Sequence, residues 1–303
     1  MAARVALAQR DTRSLARWTE AYRSIRGAPM SLSPQLRGLY NDHHPRIAIQ
    51  KAAQVGVSEY LINTAFWAAD IAWGGRGNVI YYLPTLVMAD DFSQARIDKA
   101  IESSWYLSER IGSRRGRRGA DRVNLHRVGD GHFYVRGTEH DRHMTSIDAD
   151  VVILDELDRM RLGVYERSQA RLGSAELPLL RVASTPMHPN LGINLLFQLG
   201  DQRRWFTKCP RCGLEQFRTW QENVDLEREL VVCRACQCEL PMDTDGRWIA
   251  TKPEQEEIHS YHFSKLDSRF FDVAAAIEAN RSSDPLRIDE FYNNDLGEPH
   301  VSE

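Results

Sequence analysis

The chain has 303 residues, a net charge of −3 and a pI of about 6.4, with 42% hydrophobic and 27% charged residues. That balance excludes a disordered chain and a globally basic nucleic-acid coat, while leaving room for a local basic groove. No apolar run nears the ~18–20 residues of a bilayer span, so no membrane is expected, and the length suits about two domains.

The N-terminus, MAARVALAQRDTRSLARW, is basic but lacks an apolar signal region. Leu15, Trp18, Tyr22 and Ile25 recur at helical spacing and predict a short amphipathic helix over about Asp11–Arg26. Gly27, Pro29 and Pro34 interrupt it. Arg46–Gln50 reads as a strand, the loop KAAQVGVS follows, and Glu59–Trp73 reads as a helix ended by Gly74-Gly75. Asn78–Leu83 is a buried strand candidate, and Pro84 opens a long amphipathic helix to about Arg110. A Gly/Arg loop comes next, then a hairpin turning at Gly129-Asp130-Gly131. Val151–Leu154 and Leu179–Ala183 are further strands, with a helix over Gly163–Gly173 between them. Strands alternating with helices predict an α/β domain with a mainly parallel sheet, ending near Gly200. Beyond the cysteine-bearing stretch, His259–Leu266 is a strand candidate and two short helices follow.

The loop between the first strand and its helix has phosphate-loop character. The usual pattern, G-x4-G-K-[ST], needs free backbone N–H groups, a lysine and a hydroxyl that reaches Mg²⁺. Here Gly56 and Ser58 keep their places, but Val57 stands where the lysine would be. Lys51, where the first glycine would sit, can supply the cation from the start of the same loop. The nucleotide-binding set is then Lys51, Ala52, Ala53, Gln54, Val55, Gly56, Val57 and Ser58. About a hundred residues on, the apolar strand Val151–Leu154 ends in Asp155-Glu156. Asp155, with Ser58, suits the Mg²⁺ shell, and Glu156 suits a carboxylate that polarises an attacking water. Together the elements predict an ATP hydrolase. Ser184-Thr185-Pro186 closes the next strand, where a polar pair can sense the γ-phosphate and couple it to neighbouring elements.

Cys209-Pro-Arg-Cys212 and Cys233-Arg-Ala-Cys236 lie 20 residues apart. That spacing is typical of a closed, tetrahedral Cys₄ Zn²⁺ site of ribbon type, structural rather than catalytic. Cys238 is spare; it could replace Cys236, but the paired CxxC pattern argues against that.

In this order the motifs resemble the ATPase part of phage terminase large subunits of the lambda type, the GpA-like family. They are Lys51–Ser58, Pro84-Thr85, Asp155-Glu156-Leu157-Asp158, Ser184-Thr185-Pro186 and Cys209-Pro-Arg-Cys-Gly213, with LGEPH at Leu296–His300. The resemblance implies an ASCE-type P-loop NTPase with helices on both faces of its sheet, followed by a zinc ribbon. The layout would be an N-terminal helical segment 1–45, an ATPase core 46–202, a ribbon 203–250 and a C-terminal extension 251–303 leading toward an absent nuclease domain. It implies an ATP-driven motor that packages viral double-stranded DNA into a procapsid. Such a motor works as a homo-oligomeric ring on a portal protein, with a small terminase subunit, in the cytoplasm of the infected or prophage-carrying bacterium. Carried over, Lys51 and Ser58 bind phosphate and Mg²⁺, Asp155 holds Mg²⁺, Glu156 is catalytic, and Ser184 and Thr185 couple hydrolysis to movement.

Gln54 occupies a place where several terminases carry an arginine, so an arginine finger is expected elsewhere, with Arg136 and Arg142 as candidates acting on a neighbouring subunit. Arg114, Arg115, Arg117 and Arg118 are candidates for contact with DNA phosphates. No DNA cleavage is expected of this chain. The competing readings are a helicase-like DNA translocase and a non-enzymatic zinc-ribbon nucleic-acid-binding protein with an inactive loop.

Overall fold

Apolar runs of five or six residues make the central strands. The computed structural model describes residues 14–25, 27–111, 124–145 and 147–302. In it Asn78–Leu83 and Val151–Asp155 bury every side chain except that of Asn78. Strands with no wet face belong inside a parallel sheet covered on both sides. The two pair in parallel, Val79 opposite Val151 and Tyr82 opposite Leu154. Gly131–Gly137 pairs in parallel with the other edge of Asn78–Leu83 and folds back antiparallel on Leu125–Val128. The hairpin turns where expected, with Gly129 left-handed at φ 62°.

The chain divides into two compact units: Met1–Leu32, Leu39–Pro45 and Ser58–Val182 form one, and Ser33–Gly38, Arg46–Val57 and Ala183–Glu303 the other. The strands above belong to the first. Its helix Val57–Trp67, entered through Ser58, runs on as a π-helical turn over Ala68–Ala72. The long helix expected after Pro84 is broken instead. Thr85 caps its start, accepting from Met88 N–H at 3.1 Å. Leu86–Phe92 passes through a π-helical stretch, Ser93–Asp98, into Lys99–Ser103. It stops at Ser104, whose backbone is extended, and restarts as Trp105–Ile111. The Ser104 hydroxyl donates to Tyr22 O and accepts from Leu107 N–H at 3.2 Å. Serine thus competes with the helix for backbone partners and caps the next one.

In the second unit Arg46–Lys51 pairs in parallel with His259–Phe263, Lys51 opposite Phe263. The strand predicted beyond the cysteines therefore returns to the strand that feeds the candidate phosphate loop. His259–Phe263 also meets Arg203–Lys208, which carries Gly246–Ala250 and Glu215–Gln216 as antiparallel partners. A helix the sequence reading missed, Gly192–Leu199, buries Ile193, Leu196 and Phe197. The cysteines share a core with Trp220, Leu240, Leu266, Phe291 and Leu296. Among the described residues no helix is long and apolar enough to cross a membrane.

In the first unit, one buried carboxylate ties three helices together. Asp70, 2% exposed, accepts from Trp18 Nε1 at 3.3 Å, Tyr106 Oη at 2.6 Å and Arg110 Nη2 at 2.7 Å. Asp70→Ala would strand these donors and should lower stability by about 2–4 kcal/mol, read as a lower melting midpoint with the fold retained. An unchanged midpoint would show that the cluster does not hold the helices.

Candidate functional site

The phosphate-loop candidate leaves Arg46–Lys51 at its C-terminal end, the end of a parallel strand where α/β proteins place ligands. Lys51 is 5% exposed. The next two amides are already committed: Ala52 N–H donates to Phe263 O at 2.7 Å and Ala53 N–H to Asn294 O at 2.8 Å. The chain then turns through left-handed Gln54, φ 62°, and Gly56, φ 86°. A Cβ on Gly56 would lie 2.9 Å from Leu36 Cδ1, so glycine answers both the conformation and the space. Gln54 has no such exemption, and a left-handed non-glycine costs about 1–2 kcal/mol. Val57 is 1% exposed where the helix begins. Gln50, beneath the loop, donates to Gly297 O at 2.7 Å and accepts from Asn194 Nδ2 at 2.9 Å. Ser184, at the end of Leu179–Ser184, is buried and donates to Thr185 O at 3.1 Å; Thr185 is half-buried.

In the first unit the acidic pair ends Val151–Asp155. Asp155 is 2% exposed and accepts from Tyr81 Oη at 2.6 Å. Burial and the neighbouring carboxylate raise the Tyr81 pKa well above its usual value, so the phenol keeps the proton it donates. Sequence reasoning missed Tyr81, because a tyrosine inside an apolar strand gives no sign of which face it serves. Glu156 is left-handed, φ 64° and ψ 47°, a second non-glycine turn of this kind. Its carboxylate lies 3.9 Å from exposed Arg159, a loose and solvated pair. Asp158 is half-buried in the 3₁₀ turn Leu157–Arg159.

The same edge of the first unit gathers the ends of two other parallel strands. Thr138 N–H donates to Leu83 O at 3.0 Å, its hydroxyl to Pro84 O at 3.1 Å, and Leu86 N–H to Glu139 Oε1 at 2.9 Å. Arg161 braces this corner, donating to Thr138 O at 3.0 Å and Asp141 Oδ1 at 2.7 Å. Arg136 and Arg142 come together here: both bond His143, Arg136 Nη1 to its carbonyl at 3.0 Å and Arg142 Nε to its ring at 3.3 Å. Arg136 is half-buried and Arg142 exposed. Arg114, Arg115, Arg117 and Arg118 lie outside the described residues.

The cysteines form two matching knuckles. Gly213 N–H donates to Cys209 O at 3.0 Å and Gln237 N–H to Cys233 O at 2.9 Å, and both donors are left-handed. Cys209 N–H returns to Leu214 O and Cys233 N–H to Cys238 O, each at 2.9 Å. Cys238 therefore occupies the place that Leu214 holds in the first knuckle. The Sγ atoms of Cys209, Cys212, Cys233 and Cys236 all lie within 4.8 Å of one another. Cys209–Cys236 and Cys212–Cys233 are each 3.7 Å apart, close to the ~3.8 Å between thiolates on a tetrahedral ion with bonds of ~2.3 Å. Cys238 Sγ lies 3.3 Å from Cys209 and 3.4 Å from Cys236. The Cys209 thiol is pulled down to about 6, chiefly by Cys212 N–H donating to its sulfur. Soft donors at this spacing fit a divalent metal.

Comparison with known proteins accords with these arrangements. The family model of the phage terminase large subunit gpA, ATPase domain, matches residues 30–251. Among solved structures, the fold is similar to the HK97 bacteriophage large terminase, with a TM-score of 0.61 and 13% identity over 95% of this chain and 55% of that one. It is also similar to the large terminase ATPase domain of Thermus phage P74-26, with a TM-score of 0.54 and 16% identity over 90% of this chain and 94% of that one. The chain thus spans about half the length of the HK97 protein. No curated protein matches. With a match across most of its length, the chain belongs to the family of phage terminase large subunit gpA ATPase domains.

Proposed function

We propose that the chain hydrolyses ATP and that the hydrolysis drives viral double-stranded DNA into a procapsid. The observation that carries the catalytic part is the end of Val151–Asp155. Asp155 is fixed there by Tyr81, and Glu156, the next residue, sits in a left-handed turn that a non-glycine residue adopts only at a cost. Family membership supports the packaging role. The partners would be a ring of copies of this chain, a portal protein and a small terminase subunit, in the host cytoplasm.

In this reading the amides from Gln54 to Ser58 cradle the phosphates, because those of Ala52 and Ala53 already donate elsewhere. Lys51 supplies the positive charge. Ser58 and Asp155 would hold Mg²⁺, which when bound neutralises phosphate charge. Glu156 orients the water and takes its proton. Arg136 or Arg142 would supply the arginine, to a neighbouring copy. Ser184 and Thr185 would couple nucleotide state to movement. Cys209, Cys212, Cys233 and Cys236 would hold one Zn²⁺, with no open position for chemistry.

Lys51→Ala should lower kcat for ATP by about 10²–10³ with an unchanged melting midpoint. Wild-type turnover in that variant would remove Lys51 from the site. Glu156→Gln should retain Mg²⁺-dependent nucleotide binding while losing about 10²–10⁴ in kcat; full activity would shift the base to Asp158. Double-stranded DNA should stimulate turnover, and packaging should require procapsids and the small subunit, which a free helicase-like translocase would not need. Elemental analysis of protein purified without chelator should find one zinc per chain, and Cys233→Ser should lose it and lower the melting midpoint. Zinc-free protein with unchanged melting would exclude a structural metal.

A further inference from the structure

We propose that the segment Phe291–Gly297 is a positioning element that sets the backbone of the phosphate loop from beneath and is itself anchored in the core around the cysteines; the proposal rests on the nucleotide-site reading above. All of its parts lie within the second unit. Phe291 and Leu296, each 1% exposed, lie in the core that also holds Cys209 and Cys233, and Phe291 meets Trp220 edge-on at 4.7 Å. From that anchor the segment reaches the loop at two carbonyls. Asn294 O receives Ala53 N–H at 2.8 Å, and Gly297 O receives Gln50 Nε2 at 2.7 Å.

His262 secures the second carbonyl. Its Nε2 lies 3.1 Å from Gly297 O, and Nδ1 faces Arg204 Nη1. Gly297 O can only accept and Arg204 can only donate, so the ring is the neutral tautomer with its proton on Nε2. Burial and the adjacent guanidinium both disfavour a second proton.

Gly297 is the closest approach. It is left-handed at φ 68°, and a Cβ there would lie 2.7 Å from Ala52 N, 2.7 Å from Phe263 O and 2.9 Å from Lys51 C. These are backbone atoms, and two of them belong to the phosphate loop, so any side chain at 297 presses on the Lys51–Ala52 peptide. A change at the end of this segment therefore displaces the lysine and the amides that follow it. Misplacement on the ångström scale is enough to cost about 10²-fold in rate.

The test compares Gly297→Ala with Gly74→Ala in the full chain. Gly74 is also left-handed, φ 65°, but its Cβ would meet nothing within 4 Å, so it carries backbone strain alone. Hydrogen exchange reads the loop without any nucleotide. Gly297→Ala should speed exchange at Ala52 and Ala53 at least about tenfold, whereas Gly74→Ala should leave those amides as in wild type. Folded Gly297→Ala should also raise KM for ATP and lower kcat, together about 10- to 100-fold in kcat/KM. A purely structural role would lower melting but leave loop exchange and KM at wild-type values, and that result overturns the proposal. If Gly297→Ala does not fold, Gln50→Met, a side chain of similar length that loses the bonds to Gly297 O and Asn194 Nδ2, decides by the same two readouts. Faster exchange at Ala52 and Ala53 in a chain whose wild type binds no ATP would retain the positioning role and discard the nucleotide reading.

Discussion

A loop that offers its amides to an anion cannot also use them to hold its own shape. Every N–H turned toward phosphate is an N–H withdrawn from the backbone ladder, and buried backbone donors need partners. The shape must then come from outside the loop. In the proposed phosphate loop the first two amides are tied to Phe263 and Asn294, and left-handed turns at Gln54 and Gly56 redirect the chain that follows. The parallel register that sets Lys51 opposite Phe263 brings one of those carbonyls into place. The core beside the cysteines carries the other. Strand pairing and the core around the cysteines thus both reach the same loop, although 158 residues separate Lys51 from Cys209 along the chain.

The acidic strand end meets the same constraint in another form. A buried carboxylate needs donors to stay charged, yet in the proposed role as a metal ligand Asp155 would have to keep an oxygen for the ion. One phenol on the neighbouring strand satisfies part of Asp155 without adding a competing charge. Tyr81 can do so because the register of Asn78–Leu83 on Val151–Asp155 sets Tyr81 opposite Ile153, two residues before the carboxylate.

Much of this was legible in the sequence. Asn78–Leu83 was read with its observed bounds, and the other central strands to within a residue or so, because fully buried strands are written as unbroken apolar runs. The glycine hairpin and the CxxC pairs were equally direct, since each depends on local chemistry at fixed spacing. The break at Ser104 was hidden because its cause, the carbonyl of Tyr22, lies 82 residues away. Tyr81, Asn294 and Gly297 escaped for a related reason. Two of these act through carbonyl oxygens, which every residue owns, and the third through a phenol whose partner only the sheet register selects. LGEPH was visible as a pattern, but nothing in it says that its glycine rests against the Lys51–Ala52 peptide.

Val57 carries a consequence of its own. Its side chain is buried at the first position of the helix, while Lys51, the proposed cation, stands six residues earlier at the strand's end. The two possible lysine placements are therefore not interchangeable ornaments on one scaffold. Each presumes a different filling beneath the helix, and a chain passing from one to the other by single substitutions would first have to hold two cations or none.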